Sequence, residues 1–480
     1  MIHLLSESLR FWWPEAALGA GALLTALLAA WGRPAKAAIA AAWITLASVA
    51  ALLLNAPGVA QDALFFGMIV ADPFSLAFRW LALVTIIITA LLVCGSRDGT
   101  EERRGEYLSL VLFIGLGLML MAEANHLLMA YLAIEFVSLS SYLLVGFSDD
   151  ARSSEASLKY LLFGALASGI MLFGMSLLFG LTGELGFFGL LQASSVVAFE
   201  TPGIFLLAIM LMLVGLAFKI SLVPFHMWTP DVYEGAPIPV TALLSVGPKA
   251  GALALLVRIM HALHPVWPAI APAIAALAVI TMTFGNLVAL VQTNVKRLFA
   301  YSTIGQVGYL LIGFVVQSPA GLQGLLLYLV AYLFMNLGAF ACIAWVVNET
   351  GSESIEAFRG LGRRSPVLAF LLTVCLLSLA GIPPMFGFIG KFFLFGAAIQ
   401  GHYVWLAVAG AANSALALYY YVKLIRQMYL ASDNSKSGAL EGTLPLRLAA
   451  WVCALATLLL GLFPSSLLAL LRESVRINLL

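Results

Sequence analysis

Apolar stretches of about twenty residues recur from one end of this chain to the other, and no other feature constrains the fold so strongly. A helix needs about 20 predominantly apolar residues to cross a bilayer. Runs of that kind fall near 16–31, 37–56, 74–95, 107–123, 126–147, 157–181, 203–225, 239–262, 266–291, 300–316, 321–347, 366–400, 403–430 and 447–471, about fourteen in all. The twelfth is long and is interrupted by Pro383 and Pro384. The longest polar connections, around Asn348–Pro366 and Ser432–Arg447, leave no room for a water-soluble domain. With 62% hydrophobic and 10% charged residues, the 480-residue chain lies outside the soluble globular range. Lipid offers the backbone no hydrogen bonds, so the expected fold class is an all-α polytopic membrane protein.

The remaining composition argues mainly by exclusion. A net charge of +1 makes no electrostatic case for a nucleic-acid or acidic partner. Cys94, Cys342, Cys375 and Cys453 stand singly, without a CxxC pair, which argues against an iron–sulfur site or a disulfide framework. The six histidines include no pair spaced to clamp a haem between facing helices. No cofactor is expected in this chain, and redox centres, if the function needs them, belong on another. Glu7, Arg10 and Glu15 around the start of the first run are unlike a signal peptide and point to a retained helix.

Basic residues divide unevenly between alternate connections. One side carries Arg33, Lys36, Arg97, Arg103, Arg104, Arg152, Arg363, Arg364 and Lys436; the other has little beyond Arg10, Arg79, Arg258, Arg472 and Arg476. The positive-inside rule makes the first side cytoplasmic, with both termini outside and an even number of spans. The chain also repeats. YLLVGF at Tyr142–Phe147 recurs as YLLIGF at Tyr309–Phe314, and the segment broken near Pro224 corresponds to the one broken at Pro383–Pro384. The unit holds five spans, and an odd number inverts the second copy. The expected organisation is therefore a three-helix segment (1–106), a first repeat (107–262), a second, inverted repeat (263–430), and a loop with the last helix (431–480). Inverted repeats with discontinuous helices are transporter architecture, with the site near the midplane.

Four charges lie deep in these runs: Glu135, Lys219, Lys249 and Lys391. A charge near the bilayer centre costs at least about 2.5 kcal/mol and faces a partner or a wet cavity. One carboxylate and three amines on four helices suggest a proton path. The bland alternative is a set of ion pairs fixing helix register. Tyr131, Ser138 and Tyr142 extend a polar stripe from Glu135. Lys219 precedes the break at Pro224, with His226 as a possible relay or else a hydrogen-bonded core histidine. Ser245, one turn before Lys249, is a candidate hydrogen-bond partner. Lys391 follows Pro383, Pro384, Gly387 and Gly390. Asn286, Gln292, Tyr301, Gln306, Asn336, Asn413 and Tyr419 could together supply a hydrated midplane. Arg79, Glu123, Lys159 and Lys423 fall near helix ends, where snorkelling or interfacial pairing is the default.

The stretch FKISLVPFHMWTPDVYEGAPIPVTALL, followed by Lys249 and then AGIPPMFGFIGKFFLF, resembles the antiporter-like subunits of respiratory complex I over essentially the whole chain. Thr229, Tyr233 and Gly235, where sister subunits and multisubunit cation/proton antiporters read WLPDA-type sequences, make it most similar to the subunit N branch. The resemblance implies a half-channel pair at Glu135 and Lys219, a connecting lysine at Lys249 and a terminal lysine at Lys391. It further implies sister membrane subunits as partners, with FMN and iron–sulfur clusters on other chains, in a bacterial inner membrane. A subunit of a cation/proton antiporter without redox partners is the alternative.

Overall fold

The computed structural model describes residues 8–31, 35–56, 64–98, 101–431 and 440–477. Glu7, Arg33 and Lys436 lie outside the described residues. The helices of eight or more residues are α1 (Trp13–Ala30), α2 (Ala35–Leu54), α3 (Pro73–Gly95), α4 (Arg104–Glu123), α5 (Leu127–Val145), α6 (Ala151–Thr182), α7 (Phe187–Glu200), α8 (Pro202–Ile220), α9 (Trp228–Gly235), α10 (Ile238–Ala262), α11 (Trp267–Ala289), α12 (Val295–Val316), α13 (Pro319–Thr350), α14 (Pro366–Ala380), α15 (Phe386–Gln400), α16 (Val404–Tyr429), α17 (Leu444–Leu462) and α18 (Ser465–Ser474). Twelve helices among the described residues are long and apolar enough to cross a membrane. Each of the fourteen sequence runs carries a helix or a broken pair of helices. Two details differ from the sequence expectation. The short α7 was not anticipated, and the last run divides at Phe463–Pro464 into α17 and α18.

Helix starts follow local chemistry. Asp72 closes a capping box with Ser75 at the head of α3, and Asp150, Asn294 and Ser318 cap α6, α12 and α13. Proline occupies the first turn of α3, α8, α10, α13, α14 and α17, where its missing N–H costs no intrahelical bond. Burial then sorts the helices. The whole apolar window of α10 is inside the molecule, and α12 and α13 are nearly so, whereas α2 and α6 show most of theirs to the surroundings. α10, α12 and α13 thus form the centre. α11 and α12 approach closely where a Cβ on Gly285 would lie 2.5 Å from the Gly305 nitrogen.

Both broken segments share one design. α8 ends at Ser221 and α14 at Gly381, each in the left-handed region (φ 63° and 86°). Each end folds back through a 6→1 bond, Leu222 N to Ala217 O at 2.8 Å and Ile382 N to Leu377 O at 3.0 Å. An X–Pro turn follows, at Val223–Pro224 and at Pro383–Pro384, before α9 and α15 resume.

Candidate functional site

Lys219 occupies the last turn of α8 and is 1% exposed. Its Nζ donates to Ser138 Oγ at 2.8 Å, and that hydroxyl donates in turn to Ile134 O at 2.7 Å. The ammonium also lies 5.7 Å from the centre of the Tyr160 ring. The expected partner, Glu135, makes no ion pair within 4 Å of Lys219; the lysine instead meets Ser138, one turn farther along the same polar stripe. Glu135 itself is half-buried, with Oε1 enclosed and unbonded among the described residues.

Lys249 is wholly buried in the middle of α10. Pro248 inside that helix supplies no N–H, so the carbonyl of Leu244 loses its usual i+4 donor. Lys249 Nζ fills that role at 3.2 Å and donates to Tyr233 Oη at 2.8 Å. It lies 5.5 Å from the Trp228 ring, which stacks on Tyr160 at 4.4 Å, so one aromatic pair separates Lys249 from Lys219. Ser245 is not the partner that the sequence suggested. Its hydroxyl donates to Ala242 O at 2.6 Å and accepts from Asn336.

Lys391 reaches back from α15 across its own break. Nζ donates to Leu379 O at 3.1 Å and Ala380 O at 3.2 Å, two carbonyls at the C-terminal end of α14, and sits 4.4 Å from the Tyr309 ring centre. A helix C-terminus, with free carbonyls and the negative end of the dipole, is a natural seat for an ammonium. Gly387 makes this possible, because a Cβ there would fall 2.0 Å from the Ser378 carbonyl oxygen.

Between Lys249 and Lys391 runs a string of buried polar side chains. Tyr233 lies within reach of Thr303, and Thr303 accepts from Tyr332 Oη at 3.0 Å. One turn along both helices, Tyr328 donates to Gln306 Oε1, and Gln306 Nε2 reaches Leu379 O at 3.3 Å, the carbonyl that Lys391 also holds. Tyr421, hydrogen-bonded to Ser302 and Gln306, flanks this string, and Asn286 joins Tyr309, Asn413 and Tyr420 beside it. Of the softer polar residues singled out in the sequence, Gln306 sits in the string and Asn286, Asn336 and Asn413 lie close by. Tyr419 is exposed, and Gln292 bonds Val288 O of its own helix. Tyr233 was singled out only for the resemblance it carries, not as a polar link, and Thr303, Tyr328 and Tyr332 were not singled out as part of a path.

His226 is buried in the turn between α8 and α9, with its ring edge against Phe284 at 4.6 Å. The break at Pro224 separates His226 from the helical phase of Lys219. Arg79 and Glu123 do not snorkel: with Glu15 they form a buried ion cluster, accompanied by a buried Asp72–Arg258 pair. Among the described residues, no three His, Cys, Asp or Glu side chains are grouped so as to hold a metal ion.

Residues 124–417 match the family described as NADH:quinone oxidoreductase/Mrp antiporter, transmembrane. The chain belongs to this family. Among curated members, it is 44% identical over 467 residues to NADH-quinone oxidoreductase subunit N of Anaeromyxobacter sp. (strain Fw109-5), covering 89% of each chain. A chain of respiratory complex I from Thermus thermophilus superimposes with a TM-score of 0.80 at 32% identity, over 96% of this chain and 99% of that one. A chain of the Mrp complex from Dietzia sp. DQ12-45-1b gives a TM-score of 0.79 at 22% identity over 99% and 97%, a likeness of fold alone.

Proposed function

We propose that this chain is the subunit N type membrane subunit of a bacterial NADH:quinone oxidoreductase. In this role it moves protons across the inner membrane while electrons pass through flavin and iron–sulfur centres on other subunits. The observation that carries the mechanism is the buried polar string joining Lys249 to Lys391. Every member of it is a hydroxyl, amide, amine or carbonyl buried within the bundle. Intramembrane ionisable groups in such a setting mark ion pathways.

In this mechanism Lys219 loads a proton at the first helix break, where Ser138 and the Glu135 stripe face it. A shift of α5 against α8 changes that contact and drives the proton past the Tyr160–Trp228 pair to Lys249. Tyr233, Thr303, Tyr332, Tyr328 and Gln306 pass it to Lys391, and Lys391 delivers it outward. His226, at the turn, forms a side branch of the loading step. Both termini lie on the outer side, sister antiporter-like subunits are the neighbours, and 107–262 and 263–430 act as the two inverted halves. The antiporter alternative has weaker support, since the Mrp likeness rests on 22% identity while the oxidoreductase relative is 44% identical.

The test is Lys249→Ala in the assembled complex, with NADH oxidation and proton uptake measured together in membrane vesicles. The expected result is assembly with proton yield per NADH greatly reduced. A normal yield would overturn the relay.

A further inference from the structure

Five charged side chains meet at the end of the bundle opposite the Arg97, Arg103 and Arg104 connections, and the relay uses none of them. Glu15 lies in the first turn of α1, Asp72 caps α3, Arg79 follows two turns later, Glu123 is the last residue of α4, and Arg258 is near the end of α10. None is more than 3% exposed. Arg79 grips Glu15 with two bonds, Nε to Oε1 and Nη2 to Oε2, both 2.7 Å, and its Nε lies 3.1 Å from Glu123 Oε1. Arg258 donates to Asp72 Oδ1 at 2.6 Å and to the carbonyl of Ala122, next to Glu123, at 2.7 Å. Glu123 Oε2 is enclosed and has no hydrogen-bond partner among the described residues.

Among the described residues, three carboxyl groups therefore share two guanidinium groups. Arginine remains charged, and an uncompensated buried charge costs about 3–5 kcal/mol. One carboxyl group in the cluster is accordingly neutral, and the local structure identifies it. Glu15 sits at a helix N-terminus and Asp72 at an N-cap, where backbone N–H groups favour an anion. Glu123 sits at a helix C-terminus, among carbonyls, where an anion is disfavoured. Glu15 has both oxygens bonded to Arg79, and Asp72 binds Arg258 and the Ser75 N–H. Among the described carboxyl groups of the cluster, Glu123 is the one with a buried oxygen left over.

We propose that Glu123 is a proton-binding site: its carboxyl group holds one exchangeable proton on Oε2, taken up and released as a proton alone with no change of oxidation state. Lys249 lies nine residues before Arg258 on α10, roughly 14 Å along the axis at 1.5 Å per residue. The site therefore stands between the relay and the face called outer in the proposed function. That its proton faces outward rests on this reading; the proton itself rests on the cluster. The charged groups facing it are Glu15 from α1, Asp72 and Arg79 from α3 and its cap, and Arg258 from α10. His261 faces Arg258, and His126, the cap of α5, follows Glu123 by three residues in the chain.

The test is infrared difference spectroscopy of the purified complex, following the carbonyl stretch of protonated carboxylic acids in H2O and D2O. The native complex should show a band that shifts down in D2O and is absent from Glu123→Gln. Glu15→Gln should abolish the same band although Glu123 is still present, because two acids then balance two guanidiniums. An unchanged band in Glu123→Gln overturns the proposal. Should that variant fail to assemble, Glu15→Gln decides alone: loss of the band supports the site, and persistence overturns it. Normal proton yield in Lys249→Ala would leave this band untouched, so failure of the relay and failure of this site read out separately.

Discussion

The two broken helices look alike in backbone yet hold their lysines in opposite ways. Ser221 and Gly381 end α8 and α14 with the same left-handed cap, and each is followed by an X–Pro turn. In the first break the lysine precedes the turn and reaches a hydroxyl on a different helix, Ser138 of α5. In the second the lysine follows the turn and reaches back to two carbonyls of its own broken segment, Leu379 and Ala380. The first contact can be altered by sliding α5 against α8; the second moves only if the break itself deforms. An adjustable entrance and a fixed exit are therefore built from one backbone motif, and the placement of one residue relative to proline decides which is which.

The comparison breaks most visibly if the paired substitutions behave alike. Lys219→Met and Lys391→Met should each abolish proton translocation, measured as proton yield per NADH in vesicles. Their effects on stability should differ. Without Lys219, Ser138 still donates to Ile134, so no buried polar group is orphaned. Without Lys391, Ala380 O loses its donors among the described residues, at a cost of about 1–3 kcal/mol. Thermal unfolding of the detergent-solubilised complex should fall for Lys391→Met and hold for Lys219→Met. Equal shifts would mean that the two lysines are seated equivalently.

A smaller effect is expected from Ser138→Ala. Hydrogen bonds to charged groups contribute about 1.5–3 kcal/mol, so loss of this anchor should slow proton translocation about ten- to a hundredfold, at 1.4 kcal/mol per factor of ten. Electron transfer uncoupled by ionophore should be unaffected. If translocation is unchanged, Ser138 is not what positions Lys219.

The spans and the breaks were legible because a run of twenty apolar residues, and a proline inside it, are local signals. The four deep charges were legible for the same reason. α7 escaped because Gln192, Ser194 and Ser195 dilute its apolar run and Gly183, Glu184 and Gly186 break the sequence just before it. The ion cluster escaped because its members lie near helix ends and meet across 64 residues for Glu15 and Arg79 and 186 for Asp72 and Arg258. Pro248 stood in plain view beside Lys249, yet its effect depends on which carbonyl it orphans and what fills the gap, a matter of three-dimensional reach. The direct Glu135–Lys219 pair was implied by the family resemblance, and the helix phase places Ser138 nearer the ammonium instead.

The finest test of this difference lies at Lys249, between the two breaks, where Tyr233 and Ser245 compete as anchors. Tyr233 accepts from the ammonium, whereas Ser245 serves Asn336. Tyr233→Phe leaves Lys249 with Leu244 O as its one hydrogen-bond acceptor among the described residues and removes the first hydroxyl of the string. It should lower proton yield about tenfold, the low end for a hydrogen bond to a charged group at about 1.5 kcal/mol, because Leu244 O still holds the ammonium. Ser245→Ala should leave the yield within experimental scatter and lower thermal stability by about 1 kcal/mol, through the orphaned Asn336 amide. The reverse ranking would place the route along α10 and α13 through Ser245 and Asn336, and would remove Tyr233 from the path between the adjustable lysine and the fixed one.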